Sequence, residues 1–313
     1  MAAWKVLVTD GLEKKGLDIL RASADVDDRQ GISADELLQV VGQYDALIVR
    51  GRTKVTSAVF EAGKCLKVVG RAGVGVDNID LAAAKAHSVT VVNSPTATTL
   101  AVAELTMGMM LSLVREIARA DASMKNGKWL KKEFEGAELY NKTLGVIGFG
   151  RIGGAVAQRA AAFGMKILAY DPFKTDAIVA DYDVKTVTFD ELLAQSDMIT
   201  LHVPLTASTK ALLNADAFAK MKKGAFIVCA ARGGVIDEEA LLAALDSGHV
   251  AGAALDVFGT EPPGATPLVS HPKVVATPHI GAQTAEAQER AAIDIATEIL
   301  AALKQEPLRW KVT

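Results

Sequence analysis

The sequence predicts an α/β protein made of two parallel-sheet domains. Short β-branched runs alternate with segments of helical period along most of its 313 residues, the pattern of parallel strands joined by crossover helices. The strand candidates of the second half are almost continuously apolar, as strands covered on both faces must be. At about 150 residues per domain, the length accommodates two cores.

Taken in order, strands are expected at 5–9, 46–50, 67–70 and 89–93, with helical segments near 12–22, 33–42 and 78–86. These form one layered unit of about 95 residues, a common domain size. A long helix is expected from about Thr99 to Lys125, because Leu100, Ala103, Met107, Met110, Leu111 and Val114 recur at three- and four-residue steps. It carries the chain out of the first domain. A second series of strands follows at 143–148, 166–170, 197–201, 225–229, 250–256 and 273–277. The last segment, 284–303, repeats Ala291, Ala292, Ile295, Ile299 and Leu300 on one face. Such an amphipathic helix must pack on something, and a return to the first domain is expected.

Lys plus Arg number 34 and Asp plus Glu 37, a net charge of −3, so the basic footprint of a nucleic-acid binder is missing. Half the residues are hydrophobic, a globular composition. Cys65 and Cys229 lie far apart in apolar runs, which offers neither a disulfide framework nor a C-x-x-C motif and suits a reducing cytoplasm. The N-terminus lacks a basic region followed by an apolar signal core, and Glu104 interrupts the apolar stretch 98–114. Neither a signal peptide nor a membrane span is expected. No His, Asp or Glu spacing suggests a metal site.

The strand at 143–148 runs into Gly148-Phe149-Gly150-Arg151-Ile152-Gly153, whose continuation to Phe163 has helical period. A second strand ends at Asp171, 18 residues beyond Gly153. G-x-G-x-x-G between a strand and a helix, with an acid at that distance, is the dinucleotide fingerprint of a Rossmann-like domain. Gly148 makes the tight turn, Gly150 lets backbone approach a pyrophosphate, and Gly153 lets helix and strand pack closely. The pyrophosphate then meets free N–H groups at the positive end of a helix dipole. Asp171 can accept from the adenosine ribose hydroxyls and would repel a 2′-phosphate, which favours NAD over NADP, although Lys174 opposes this a little.

Ligands of open parallel sheets bind beyond the carboxyl ends of the strands. Polar residues there are His202, Arg232, Asp256 and His279. Oxidising a carbinol carbon needs a base for the hydroxyl proton, and histidine titrates near neutrality without tuning. His279 is the first choice, with Glu261 in the loop after the Asp256 strand to fix its tautomer. Arg232 suits a substrate carboxylate and the keto oxygen of the reverse reaction. Each has a plainer structural reading taken singly; their common place behind a dinucleotide loop favours chemistry. His202 fits beside the nicotinamide ribose better than as the base.

Together these residues resemble the D-isomer-specific 2-hydroxyacid dehydrogenases, and within them the short-form phosphoglycerate branch. The resemblance covers nearly the whole chain. Its marks are Val49-Arg50, the run from Gly70 to Asp80, Ala103 to Leu105, Gly148 to Gly153, Leu201 to Pro204, Ala231 to Asp237, Leu255 to Phe258 with Glu261-Pro262, and Thr277 to Ala282.

The resemblance implies Arg232, Glu261 and His279 as the catalytic group. It implies a cofactor role for Arg151, Ile152, Pro204 and His202 beside the glycines, and a contact of Asp256 with the nicotinamide carboxamide. It places backbone N–H groups of Val74 and Gly75 on the substrate carboxylate. Arg50 and Arg71 then hold a substrate phosphate, with Arg52 as a further candidate. Cys229 stands where relatives often have Asn before the catalytic arginine, and Thr98 where many have Asn near the cofactor.

The fold implied is a substrate domain of residues 1–97 plus 285–313, flavodoxin-like, and an NAD-binding domain of residues 98–284, with a cleft between them. The family usually dimerises through the nucleotide domains, so the arm around Lys128, Trp129 and Leu130 is the expected interface of a homodimer. Only ten residues follow Leu303, so the appended regulatory domain of longer relatives is not expected. The implied activity is NAD-dependent oxidation of 3-phospho-D-glycerate to 3-phosphohydroxypyruvate. The rivals are reduction of glyoxylate, hydroxypyruvate or another small 2-keto acid, and, from another class, an NAD-sensing module of the corepressor kind.

Overall fold

The structure, a computed structural model, describes residues 4–172 and 184–313; Lys174 lies outside them. The chain divides into two compact units, residues 1–98 with 282–313, and residues 99–281.

The first unit carries a five-stranded parallel sheet of β1 (Trp4–Val8), β2 (Ala24–Asp28), β3 (Ala46–Val49), β4 (Val68–Arg71) and β5 (Thr90–Asn93), in the order β2-β1-β3-β4-β5. That is the flavodoxin-like doubly wound order. Val6–Val8 of β1, all of β3 and the apolar part of β4 are buried. β2 escapes a pattern-based reading because its sequence, Ala24-Asp25-Val26-Asp27-Asp28, is acidic. It is an edge strand bonded on one side only, and charge on an edge discourages pairing with other chains.

The helix Ala285–Leu303 returns to this unit and buries Ala291, Ala292, Ile295, Ile299, Leu300 and Leu303 against its sheet and against the helix Lys14–Arg21. At roughly 1.5–3 kcal/mol for each fully buried branched aliphatic side chain, this face is a main part of the unit's core. The two helices touch closely because residue 16 is glycine: a Cβ there would lie 2.6 Å from the carbonyl oxygen of Ala292. Buried Glu298 accepts the N–H groups of Arg309 and Trp310, each at 3.0 Å, and so fastens the chain that follows the helix.

The second unit contains β6 (Thr143–Ile147), β7 (Lys166–Tyr170), β8 (Val184–Thr186), β9 (Met198–Leu201), β10 (Ala225–Cys229), β11 (Val250–Leu255) and β12 (Val274–Ala276). All seven are parallel, in the order β12-β11-β10-β9-β6-β7-β8. The strand order reverses between β6 and β9, which creates the crevice where this architecture holds ligands. β8, not expected from sequence, is a three-residue edge strand with little apolar content. Four short helices, Ser57–Ala62, Phe189–Gln195, Ala215–Lys220 and Glu238–Asp246, also lie beyond the sequence reading.

The single helix expected over Thr99–Lys125 is two. The first, Thr99–Val114, ends where Glu116 turns left-handed with φ 53°, and the second runs from Ile117 to Lys125. Every apolar position that argues for a continuous helix lies at or before Val114; the second helix buries no residue, so nothing in the core requires the axis to continue. Cys65 is exposed rather than embedded in its apolar run, Cys229 is buried, and both are free thiols. Among the described residues no helix is long and apolar enough to cross a membrane, and no three His, Cys, Asp or Glu side chains gather as metal ligands.

Candidate active site

The glycine loop joins β6 to the helix Arg151–Ala162 at the strand-order reversal. Gly148 has φ 89°, and a Cβ on it would meet the carbonyl oxygen of His202 at 2.7 Å, so only glycine allows the loop to pass the end of β9. Open space lies over Gly150, where an added Cβ would meet nothing within 4 Å. A Cβ on Gly153 would stand 2.2 Å from the carbonyl oxygen of Gly148. Gly150 is the N-cap of the helix and supplies no side-chain hydrogen bond; the start of a helix is where backbone N–H groups and the helix dipole favour an anion. Asp171, just past β7, accepts the N–H of Phe149 at 2.9 Å and is held beside the loop. Arg151 begins the helix, exposed, and Ile152 is half-buried on it.

His202 follows β9 on the other side of the reversal. Its Nε2 lies 3.0 Å from the Thr200 hydroxyl, while Nδ1 is buried and has no hydrogen-bond partner among the described residues. Desolvation pushes its pKa down to about 4, so the ring is neutral near pH 7. A neutral imidazole with one unsatisfied buried nitrogen beside the glycine loop suits a polar ligand group, and not proton transfer near neutrality. Pro204 closes the same segment, and its carbonyl accepts the Thr209 hydroxyl at 2.6 Å.

Three further side chains leave the carboxyl ends of adjacent strands. Arg232 follows β10, Asp256 follows β11, and His279 follows β12. His279 Nδ1 lies 2.7 Å from Glu261 Oε2, and the other oxygen of Glu261 accepts the N–H of Phe258 at 3.1 Å. A carboxylate can only accept, so Nδ1 carries a proton, and in the neutral ring this tautomer leaves the lone pair on Nε2. Both side chains remain partly open, His279 at 48% and Glu261 at 37%, which leaves the pair reachable. His279 has φ 52°, a conformation costing a non-glycine residue on the order of 1–3 kcal/mol unless its surroundings enforce it. Arg232 donates from Nη1 to the carbonyl of Ala231 at 2.7 Å. Its turn packs tightly on the loop after β11, since a Cβ on Gly233 would overlap the Phe258 carbonyl.

Asp256, expected as a cofactor contact, is also engaged by the chain itself. It is 1% exposed, and its carboxylate accepts the Thr277 hydroxyl at 2.6 Å and the N–H groups of Ile280 and Gly281, each at 2.8 Å. Most of its acceptor capacity is spent on the segment that bears His279. Sequence reasoning gave Thr277 no role; its only signal is a hydroxyl at the end of an apolar strand.

In the first unit, Arg50 follows β3 and Arg71 ends β4. The backbone of Arg50 is held by Asp10, which accepts its N–H at 2.8 Å, and by the Asn78 amide, which donates to its carbonyl at 3.1 Å. Its guanidinium donates to Gln288 Oε1, and Gln288 in turn donates to the carbonyl of Ala282. Gln288, too, was not foreseen. Arg71 lies over Gly73, where a Cβ would overlap its guanidinium. The N–H groups of Val74 and Gly75 carry no hydrogen bond among the described residues.

Arg52 is engaged by the fold: its guanidinium donates to the carbonyls of Thr9 and Ile32 and pairs with Asp10 at 3.2 Å. Burial alone would raise the Asp10 carboxyl. Hydrogen bonds from Thr53 and the backbone, with the Arg52 charge, outweigh that and hold its pKa below the usual carboxylate value.

A doubly wound sheet with a glycine loop at its reversal, an acid beside the loop and a His–Glu pair on the same edge defines a dinucleotide-binding α/β protein. Residues 107–281 match the family described as D-isomer specific 2-hydroxyacid dehydrogenase, NAD binding domain. The chain belongs to that family, and NAD is its cofactor.

Among its relatives, D-3-phosphoglycerate dehydrogenase of Synechocystis sp. is 48% identical over 98% of this chain and 56% of its own length. Hydroxypyruvate reductase of Thermotoga maritima is 50% identical over 96% of this chain and 98% of its own. The chain spans about half the length of most of the curated relatives named phosphoglycerate dehydrogenase. A solved glyoxylate reductase from Paecilomyes thermophila superposes with a TM-score of 0.92 at 32% identity, covering 100% of this chain and 99% of its own.

The residues present fit NAD: the space over Gly150, the helix that starts there, Asp171 and the unsatisfied nitrogen of His202 are complementary to a pyrophosphate, a ribose and a polar edge. Gly153→Ala should therefore weaken NADH binding at least tenfold, roughly, by forcing the helix off the loop. Titration of NADH fluorescence measures it, and wild-type affinity would contradict the assignment.

Proposed function

We propose that the protein oxidises a D-2-hydroxy acid to its 2-keto acid with NAD. The Glu261–His279 hydrogen bond on the edge of the NAD-binding sheet carries this reading. Gly148, Gly150, Arg151, Ile152 and Gly153 would hold the pyrophosphate, Asp171 the adenosine ribose, and His202 with Pro204 the nicotinamide side. When bound, NAD supplies the acceptor for the hydride that leaves C2.

The chain's own groups manage the proton and the charge. His279 Nε2 takes the hydroxyl proton, and Glu261 holds the ring in the required tautomer and stabilises the imidazolium that results. Arg232 balances the negative charge that gathers on the oxygen as it becomes a carbonyl. The N–H groups of Val74 and Gly75 receive the substrate carboxylate. His279→Ala should lower kcat at least a hundredfold, roughly, the upper part of the range for a lost general base, with NADH affinity unchanged. Steady-state kinetics beside an NADH titration test this, and wild-type turnover would overturn it.

For the substrate we infer 3-phospho-D-glycerate. Arg50 and Arg71 stand at the ends of neighbouring strands as donors for a phosphate, and several relatives at 47–50% identity bear the name phosphoglycerate dehydrogenase. A specific observation favours a second reading, reduction of hydroxypyruvate: the relative so named matches this chain over nearly its whole length. Arg50→Ala should raise KM for the phosphorylated acid about tenfold or more, the loss of one charge-assisted contact, and leave hydroxypyruvate kinetics within about twofold. Equal effects on both substrates would reject the phosphate role.

The protein is further proposed to act as a homodimer. Trp129 is 77% exposed, and with Met124, Leu130 and Phe134 it lines an apolar groove of about 340 Å³. An apolar surface of this kind is characteristic of an interface. Trp129→Glu should convert the dimer to monomer in sedimentation, and a wild-type profile would exclude this face.

A further inference from the structure

The residue read as the base sits in a backbone conformation that L residues rarely adopt, and something must hold it there. His279 has φ 52°, and the turn around it is short: its own N–H donates to the carbonyl of Thr277 at 3.0 Å, only two residues back. Glu261 touches the ring but does not touch this backbone. The groups that do are on the preceding strand exit. Asp256 Oδ1 accepts both the Thr277 hydroxyl at 2.6 Å and the Ile280 N–H at 2.8 Å, while Oδ2 accepts the Gly281 N–H at 2.8 Å. The carboxylate thus grips the segment on both sides of His279.

Its own position is fixed. The N–H of Asp256 donates to the carbonyl of Cys229 at 2.9 Å, the N–H of Thr277 donates to the carbonyl of Leu255 at 3.0 Å, and β12 is paired to β11 in register through Leu255 and Ala276. Gly281 lies against the same carboxylate, where a Cβ would come within 3.1 Å of Oδ2. A buried carboxylate that accepts three hydrogen bonds from one five-residue segment is a clamp, because losing any of them leaves a buried polar group unpaired.

We propose that Asp256 and Thr277 are positioning residues for His279: together they hold the strained turn that aims Nε2 at the substrate hydroxyl. Oδ1 is saturated by its two donors, and Oδ2 keeps one acceptor site, which is the most it can offer a cofactor amide. The inference rests on the reading of His279 as the base.

Thr277 gives the cleaner test because no cofactor contact is assigned to it. Thr277→Val removes one donor while keeping size, and kcat should fall about tenfold, as expected for a small misplacement of a reacting group. KM for NAD and the NADH dissociation constant should stay within about twofold, the mark of an interaction that serves the chemical step alone. Thr277→Ser keeps the hydroxyl and should restore kcat to within about twofold of wild type. Asp256→Ala should cost kcat roughly a hundredfold or more with NADH still bound. Wild-type kcat in Thr277→Val overturns the proposal, and so does an Asp256→Ala loss that saturating NAD restores, since the carboxylate would then serve the cofactor. Should Asp256→Ala fail to fold, the Thr277 pair decides alone. His279→Ala made in parallel separates the two levels: wild-type turnover there defeats the base assignment itself, whereas loss of turnover there with unaltered Thr277→Val defeats only the clamp.

Discussion

A parallel strand covered on both faces has no room for an unpaired polar side chain along its length, because each such group would be buried at a cost of a few kcal/mol. In the second unit this constraint keeps the interior of β6, β9, β10 and β11 almost wholly apolar, the buried Thr200 hydroxyl being paired with His202, and drives ionisable groups to the carboxyl edge. His202, Arg232, Asp256 and His279 all lie within four residues of a strand's last residue. The strand order also reverses within this sheet, so the glycine loop and the His279–Glu261 pair share one edge of the sheet without any element dedicated to bringing them together.

Local bonding then converts proximity into geometry. Glycines do so by absence, at Gly148 beside the end of β9 and at Gly233 against the Phe258 carbonyl. Carboxylates do so by acceptance: Asp171 holds Phe149, Glu261 holds both Phe258 and the His279 ring, and Asp256 holds the turn beyond β12. The first unit uses the same device, with ionised Asp10 gathering Arg50, Arg52 and Thr53 at the ends of its strands. At Asp256 and Asp10 a charge taken out of water is satisfied by several donors, so its removal disturbs the loop more than any single contact suggests.

Much of this is legible in the sequence because the strong signals are periodic or local. Buried parallel strands announce themselves as apolar runs, the glycine loop by its spacing, and the helix 285–303 by its repeating face. What escapes has little apolar content, as in β2 and β8, or is too short to show a period, as in the helix Ser57–Ala62. The break at Glu116 is invisible for a related reason, since exposed residues after Val114 are compatible with a helix pointing either way. In the site, residue types identify reactants but not supports. Thr277 and Gln288 matter through partners 21 and 238 residues away in sequence, and the Arg52 guanidinium is committed to carbonyls that no pattern reveals.

The close approach of Gly16 to Ala292 bears on how the molecule comes to be. One core is closed by the helix Ala285–Leu303, which follows the strands of its unit only after the whole of the second unit, whereas the other core is assembled from the uninterrupted stretch Thr99–Gly281. During translation the interior stretch can condense first, while the opening strands wait with their apolar face uncovered. Long-range closure of that kind slows maturation and exposes surface to aggregation. The amino-terminal part is therefore where a molecular chaperone, or a lower growth temperature, should have most to contribute to yield.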